Sequence, residues 1–230
     1  MTLQDNLQTV GERIRRAEHR FERPLHSVQL VAVSKFHSVA SIQLAYQAGQ
    51  RAFGENYVQE MVSKAQALAE YTDIKWHFIG PLQSNKTKQV AETAHWVHAL
   101  ERLKIAQRLS QQRPVGYPDL NVCLQVNVSA EASKSGIKLD EVLELALQVQ
   151  QLPRLKLRGL MAIPAPEHHF EQQRAVFAEL RVALEQLNQQ GLALDTLSMG
   201  MSDDMEAAIA EGATLVRVGT AIFGQRTPSA

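Results

Sequence analysis

Eight short runs of apolar and β-branched residues recur along the chain, and each is followed by a longer stretch with helical spacing. The strand-like runs cover residues 28–34, 51–54, 75–80, 96–100, 121–128, 156–161, 196–199 and 214–219. Helix-like segments cover 38–49, 56–71, 85–93, 102–113, 139–152, 170–190 and 203–212. An extra amphipathic helix over 3–23 precedes the first strand, because Val10, Ile14, Ala17 and Phe21 recur there at three- and four-residue steps. Strands that alternate with helices imply right-handed crossovers and a parallel sheet. Runs such as Leu30-Val31-Ala32-Val33 are apolar throughout, as expected of strands buried on both faces. Two closures compete, an open doubly wound sheet and a barrel. Eight units in 230 residues suit a small barrel. The open sheet would ordinarily carry a glycine-rich dinucleotide loop after its first strand, and Ser34-Lys35-Phe36-His37 stands there instead. The expectation is an α/β chain forming a single (β/α)8 barrel, one domain over residues 1–230.

Charge and cysteine content narrow the function. Lys+Arg and Asp+Glu both number 24, so there is no uniform basic field for nucleic acid or an anionic membrane surface. Cys123 is the only cysteine, which excludes a disulfide framework and argues against a thiolate zinc site. His95 and His98 share a strand at odd spacing and point to opposite faces, which argues against a metal pair. Apolar runs are too short to span a membrane, and the first residues do not read as a signal peptide, so a cytoplasmic location is expected.

In a parallel barrel the reactive groups gather where the strands end. Lys35 ends the first strand, as either a snorkelling surface lysine or a desolvated amine at the barrel mouth. Desolvation would free that amine to attack an aldehyde. Arg217 interrupts the apolar run Leu215-Val216-Arg217-Val218. A buried guanidinium cannot shed its charge, so it pairs with an acid inside the barrel or points at an electron-rich ligand atom. Ser198-Met199-Gly200-Met201-Ser202 and Gly219-Thr220 are small-residue turns after the last two strands, where barrels commonly hold phosphate. The helix expected to open at Asp203 would add unpaired N–H groups, with Asp203 and Asp204 as capping residues aimed away. An amine, an anion cup and a buried arginine are together the parts of a pyridoxal 5′-phosphate (PLP) site.

Those residues also carry a resemblance. Val31-Ala32-Val33-Ser34-Lys35, Phe53-Gly54-Glu55-Asn56-Tyr57-Val58-Gln59-Glu60 and Trp76-His77-Phe78-Ile79-Gly80-Pro81-Leu82-Gln83-Ser84-Asn85-Lys86 stand in order. Ser133-Lys134-Ser135-Gly136, Gly159-Leu160-Met161, Ser198-Met199-Gly200-Met201-Ser202-Asp203-Asp204-Met205-Glu206 and Arg217-Val218-Gly219-Thr220-Ala221-Ile222-Phe223-Gly224 follow. The set closely resembles the pyridoxal phosphate homeostasis protein family, of the YggS/PROSC type. The resemblance implies a barrel similar to the N-terminal domain of alanine racemase, with PLP held as an aldimine on Lys35. It further implies that Arg217 faces the pyridine nitrogen and that Ser202, Gly219 and Thr220 hold the phosphate, with Ser198 and Gly200 of the neighbouring turn also expected to be cofactor-binding. Asn56, His77 and Met161 would line the ring cavity. Phe36-His37 departs from the commoner threonine-lysine after the Schiff-base lysine.

Arginine at the pyridine nitrogen favours an unprotonated ring, a poor electron sink. The resemblance therefore implies a non-enzymatic carrier in vitamin B6 homeostasis that supplies PLP to apo-enzymes by transient contact. A monomer is expected. The alternative is a slow PLP-dependent amino-acid racemase, which needs an acid–base group on each face of the substrate carbon. Lys35 could serve one face, while the second domain that would serve the other is not expected after the eighth unit. Tyr57 follows a strand end, but its neighbours place it on a helix face. Lys134 is a further candidate, as a secondary aldehyde acceptor on a release path.

Overall fold

The computed structural model describes residues 2–128 and 135–224. Eight parallel strands close in chain order into a barrel. They are β1 (Gln29–Val33), β2 (Ala52–Glu55), β3 (Lys75–Phe78), β4 (Trp96–Leu100), β5 (Leu120–Gln125), β6 (Leu155–Met161), β7 (Thr196–Ser198) and β8 (Leu215–Val218). The first and last strands complete the ring, with Val31 opposite Arg217 and Ala32 opposite Val218. Around the ring lie α2 (Val39–Gln47), α3 (Val58–Ala67), α4 (Thr87–Thr93), α5 (Leu103–Gln112), α6 (Val142–Val149), α7 (Phe170–Gln189) and α8 (Met205–Ala210). The additional helix α1 (Leu3–Arg20) precedes the first strand, and a short α9 (Thr220–Phe223) follows the last.

Period-two alternation decides which side chains meet which layer. Ala32, Phe53, Phe78, Val97, Leu124, Leu160 and Val216 face outward into one continuous core under the helices. Each large side chain buried there contributes about 1.5–3 kcal/mol. Val31, Ala52 and Leu215 form a separate small cluster against Trp96. One layer nearer the carboxyl ends, the buried side chains turn polar, with His77, His98, Gln125, Ser198 and Arg217 all under a tenth exposed. Outward positions therefore hold the barrel together, and inward positions near its mouth carry the chemistry.

Helix α1 begins with a reciprocal cap, in which Asp5 N–H donates to Thr2 Oγ1 and Thr2 N–H to Asp5 Oδ2. It ends at Arg20, three residues before the expected limit, where Phe21 caps it and Glu22 adopts a positive φ of 54°. Its buried face, Leu7, Val10, Ile14 and Ala17, is the stripe read from the sequence. The helix expected from Asp203 is shorter: α8 starts at Met205, behind an N-cap at Asp204. Helix α9 was not anticipated, since four residues are too few to carry a periodic signal. Among the described residues no helix is long and apolar enough to cross a membrane.

Candidate functional site

A cavity of about 570 Å³ opens at the carboxyl ends of the strands. Lys35, Asn56, Ser202, Arg217, Gly219 and Thr220, six of the residues singled out in the sequence, stand in its wall together. Lys35 is half-buried. Chain elements from opposite ends of the sequence meet here because β1 and β8 are hydrogen-bonded neighbours. Gly219 closes the turn after β8 against β1, where an added Cβ would lie 3.1 Å from Val33 O. Arg13, His37, Asp203 and Ala221 also line the cavity. Asp203, expected to face away, is thus part of the wall. Asp204 does turn aside, and its Oδ1 accepts the Met201 N–H at 2.6 Å.

His77, Met161, Ser198 and Gly200 are not in the cavity wall; they lie beneath or behind it. Gly200 shapes the turn after β7, with φ 94° and space for a Cβ only 2.6 Å from the Ala208 Cβ. Its carbonyl accepts the Arg217 N–H at 2.9 Å. Ser198 supports Arg217 directly. The guanidinium donates to Ser198 Oγ at 2.7 Å and to Ala162 O at 2.9 Å. Neither of those acceptors is an acid; among the described residues Arg217 makes no direct ion pair of the kind considered from sequence, although the nearby Asp204 carboxylate favours its charge. Burial lowers its pKa to about 10, which leaves it cationic at neutral pH.

From Ser198 a hydrogen-bonded chain crosses the barrel, with Ser198 Oγ 2.7 Å from His98 Nδ1 and His98 Nε2 2.9 Å from His77 Nδ1. Its polarity follows from its cationic end, since arginine can only donate. Ser198 Oγ accepts from Arg217 and turns its own proton to His98 Nδ1. His98 then carries its proton on Nε2 and donates to His77 Nδ1. This leaves His77 Nε2 as the one ring nitrogen of the chain with no partner. The opposite polarity would strand the Ser198 proton as well. Burial holds both rings neutral, taking His77 down to about 3 and His98 well below the usual histidine range.

Two participants escaped the sequence reading. His98 was assigned a face but no partner, because Ser198 lies 100 residues away in the chain. Arg13 belongs to α1, yet its guanidinium reaches Ser202 O at 3.0 Å and Glu206 at 3.0 and 3.1 Å. With Asn6 donating to Ile222 O at 2.9 Å, α1 is tied to both turns of the expected anion cup. Tyr57 is not on a helix face but caps α3 in an extended conformation, its ring 5.2 Å from that of Phe36. His37 stacks on Phe223 at 4.8 Å. Lys134 lies outside the described residues.

Residues 6–227 match the family model described as alanine racemase, N-terminal domain. An alanine racemase of Clostridium difficile superposes with a TM-score of 0.77 at 13% identity, over 99% of this chain and 57% of that one, which is a likeness of fold. Nearer relatives narrow the assignment. A pyridoxal phosphate homeostasis protein of Pseudomonas aeruginosa is 57% identical over 98% of this chain and 96% of its own length. One of Escherichia coli K12 is 54% identical over 96% and 95% respectively. The structure of PipY from Synechococcus elongatus with PLP bound gives a TM-score of 0.84 at 37% identity, covering 97% of this chain and 100% of that one. The chain belongs to the pyridoxal phosphate homeostasis protein family.

Proposed function

We propose that this chain, as one domain over residues 1–230, binds PLP through a covalent link at Lys35 and serves as a PLP carrier rather than a catalyst. The observation that carries the reading is the presence of Lys35 in one cavity wall with Ser202, Gly219, Thr220 and Arg217. The residues fit the cofactor. Arg13 and Arg217 bring guanidinium donors to the lining, Arg13 shared with Glu206, and Asp203 brings a carboxylate; guanidinium groups of this kind suit an anionic ligand. Ser202 and Thr220 offer hydroxyl donors, and by helix geometry the first N–H groups of α9 lack intrahelical acceptors. Asn56 Oδ1 is a buried acceptor with no partner, matched to a ring hydroxyl.

When bound, PLP supplies an aldehyde carbon and a conjugated ring that can spread negative charge. Lys35 Nζ would be the group that holds the aldehyde, with one water released on linkage and taken up again on release. Arg217, cationic at neutral pH and held by Ser198 and Ala162, would donate to the ring nitrogen and so keep it an acceptor with low electron demand. That suits storage and release to apo-enzymes by transient contact, from a monomer in the cytoplasm. Named relatives support the reading, since proteins of this family are called homeostasis proteins and PipY has been solved with PLP.

The test is an absorbance spectrum after incubation with PLP, in the wild type and in Lys35→Ala. A yellow band that borohydride traps on Lys35, and that the variant lacks, is expected. An unchanged band in Lys35→Ala refutes the assignment. Single-enantiomer amino acids added to loaded protein should show no optical inversion at ordinary enzyme rates; turnover above about 1 per second overturns the carrier role.

A further inference from the structure

Beside the Lys35 segment lies a charged cluster that the proposed binding role does not use. The Lys64 side chain, on α3, is only 6% exposed. Its ammonium has three protons to give and meets three oxygens at 2.7 Å: Ser34 O, Glu55 Oε1 and Glu60 Oε1. The acceptors come from the residue after β1, the end of β2 and the first turn of α3. The cluster extends into the turn that carries Lys35. Ser34 Oγ donates to Glu55 Oε1 at 2.7 Å, and the Phe36 N–H donates to Glu60 Oε1 at 2.6 Å. Ser34 N–H is held by Gly54 O, and Ser34 O also accepts the His37 N–H, both at 3.0 Å. The peptide is thus fixed on either side of Lys35. Phe36 sits at φ 65°, a left-handed conformation that a non-glycine residue keeps only where its surroundings impose it.

We infer that Lys64 is a positioning residue for Lys35: its ammonium gathers Ser34, Glu55 and Glu60 and thereby sets where the Lys35 amine enters the cavity. The functional consequence rests on the PLP reading; the tether itself does not. Without the ammonium, Glu55 and Glu60 lose the cation they share. Glu55 is fully buried, but the Glu60 side chain is 21% exposed and can turn to solvent, releasing the Phe36 N–H.

Lys64→Met alone leaves Glu55 uncompensated and risks general unfolding. The test is therefore the double variant Lys64→Met/Glu55→Gln, which removes both buried charges, alongside Glu60→Ala, which removes the acceptor of the Phe36 N–H and one of the three acceptors of Lys64 but leaves its bonds to Ser34 O and Glu55 in place. Amide hydrogen exchange is followed in ligand-free protein, with Val31 in β1 as the internal reference. Loss of bound PLP on dilution is followed by absorbance. In both variants Phe36 should exchange, and PLP should leave, about tenfold faster, the effect of one charge-assisted hydrogen bond, while Val31 is unchanged. Either rate staying within about twofold of wild type overturns the inference and leaves Lys64 a structural ion pair. A wild type that takes up no PLP refutes the cofactor role instead, and Phe36 exchange then decides the tether alone.

Discussion

Acidification should unfold this protein through its barrel interior, and the size of the effect follows from two rings. His77 and His98 are neutral in the folded state because burial disfavours their charge, with His77 held down to about 3. In the unfolded chain each titrates near pH 6.5. A depressed folded pKa means that this contribution is fully present above about pH 6.5 and is lost as pH falls toward the folded value. At about pH 5 each ring has cost roughly 2 kcal/mol, and the pair roughly 4 kcal/mol, from a total stability of about 5–15 kcal/mol. His95, lowered to about 4 chiefly by burial, acts in the same direction, discounted for its partial exposure. Glu55 and Asp204 are raised by burial, so their protonation offsets part of the loss. Urea unfolding followed by the fluorescence of Trp76 and Trp96 should show the midpoint falling from about pH 7 to about pH 5 at constant slope. His77→Gln/His98→Gln should flatten that dependence. A midpoint in the wild type that does not move over the interval refutes the neutral-ring assignment.

Two substitutions test the anion cup independently. Gly200→Ala places a Cβ against Ala208 at a backbone φ of 94°, and should cost about 2–4 kcal/mol in thermal unfolding; a wild-type Tm would show that the turn relaxes freely. Thr220→Val removes an exposed hydroxyl from the cavity wall and should weaken PLP binding about tenfold with Tm unchanged; unaltered affinity would remove Thr220 from the cup.

Much of the site could be read before any coordinates. Lys35 and Arg217 stood out because a cation ends or interrupts an apolar strand, and burying one is too expensive to occur without cause. Gly219-Thr220 and Ser202 stood out through their place after the last strands. His98 carried the same signal as Arg217, a titratable side chain inside an apolar strand, but nothing in the sequence named its partner. Arg13 gave no signal at all, since an arginine on a helix is ordinarily solvated. Lys64 could be paired from sequence with Glu60, four residues before it on one helix, but its other two acceptors, Ser34 O and Glu55, are brought to it only by folding.

The eightfold alternation of apolar runs and helical spacing determines the parallel sheet and its crossovers, because periodicity dictates which side chains must leave water. Composition and charge exclude classes of partner, and the strand ends mark which residues can meet a ligand. Tertiary structure alone decided that Lys35 and Asn56 share a wall with Arg217 and Thr220, while His77, Met161, Ser198 and Gly200 stand back from it. Strand tilt and stagger set the layer each inward side chain occupies, and those are properties of the closed ring. Closure sets β1 beside β8, and with it the distances on which binding depends.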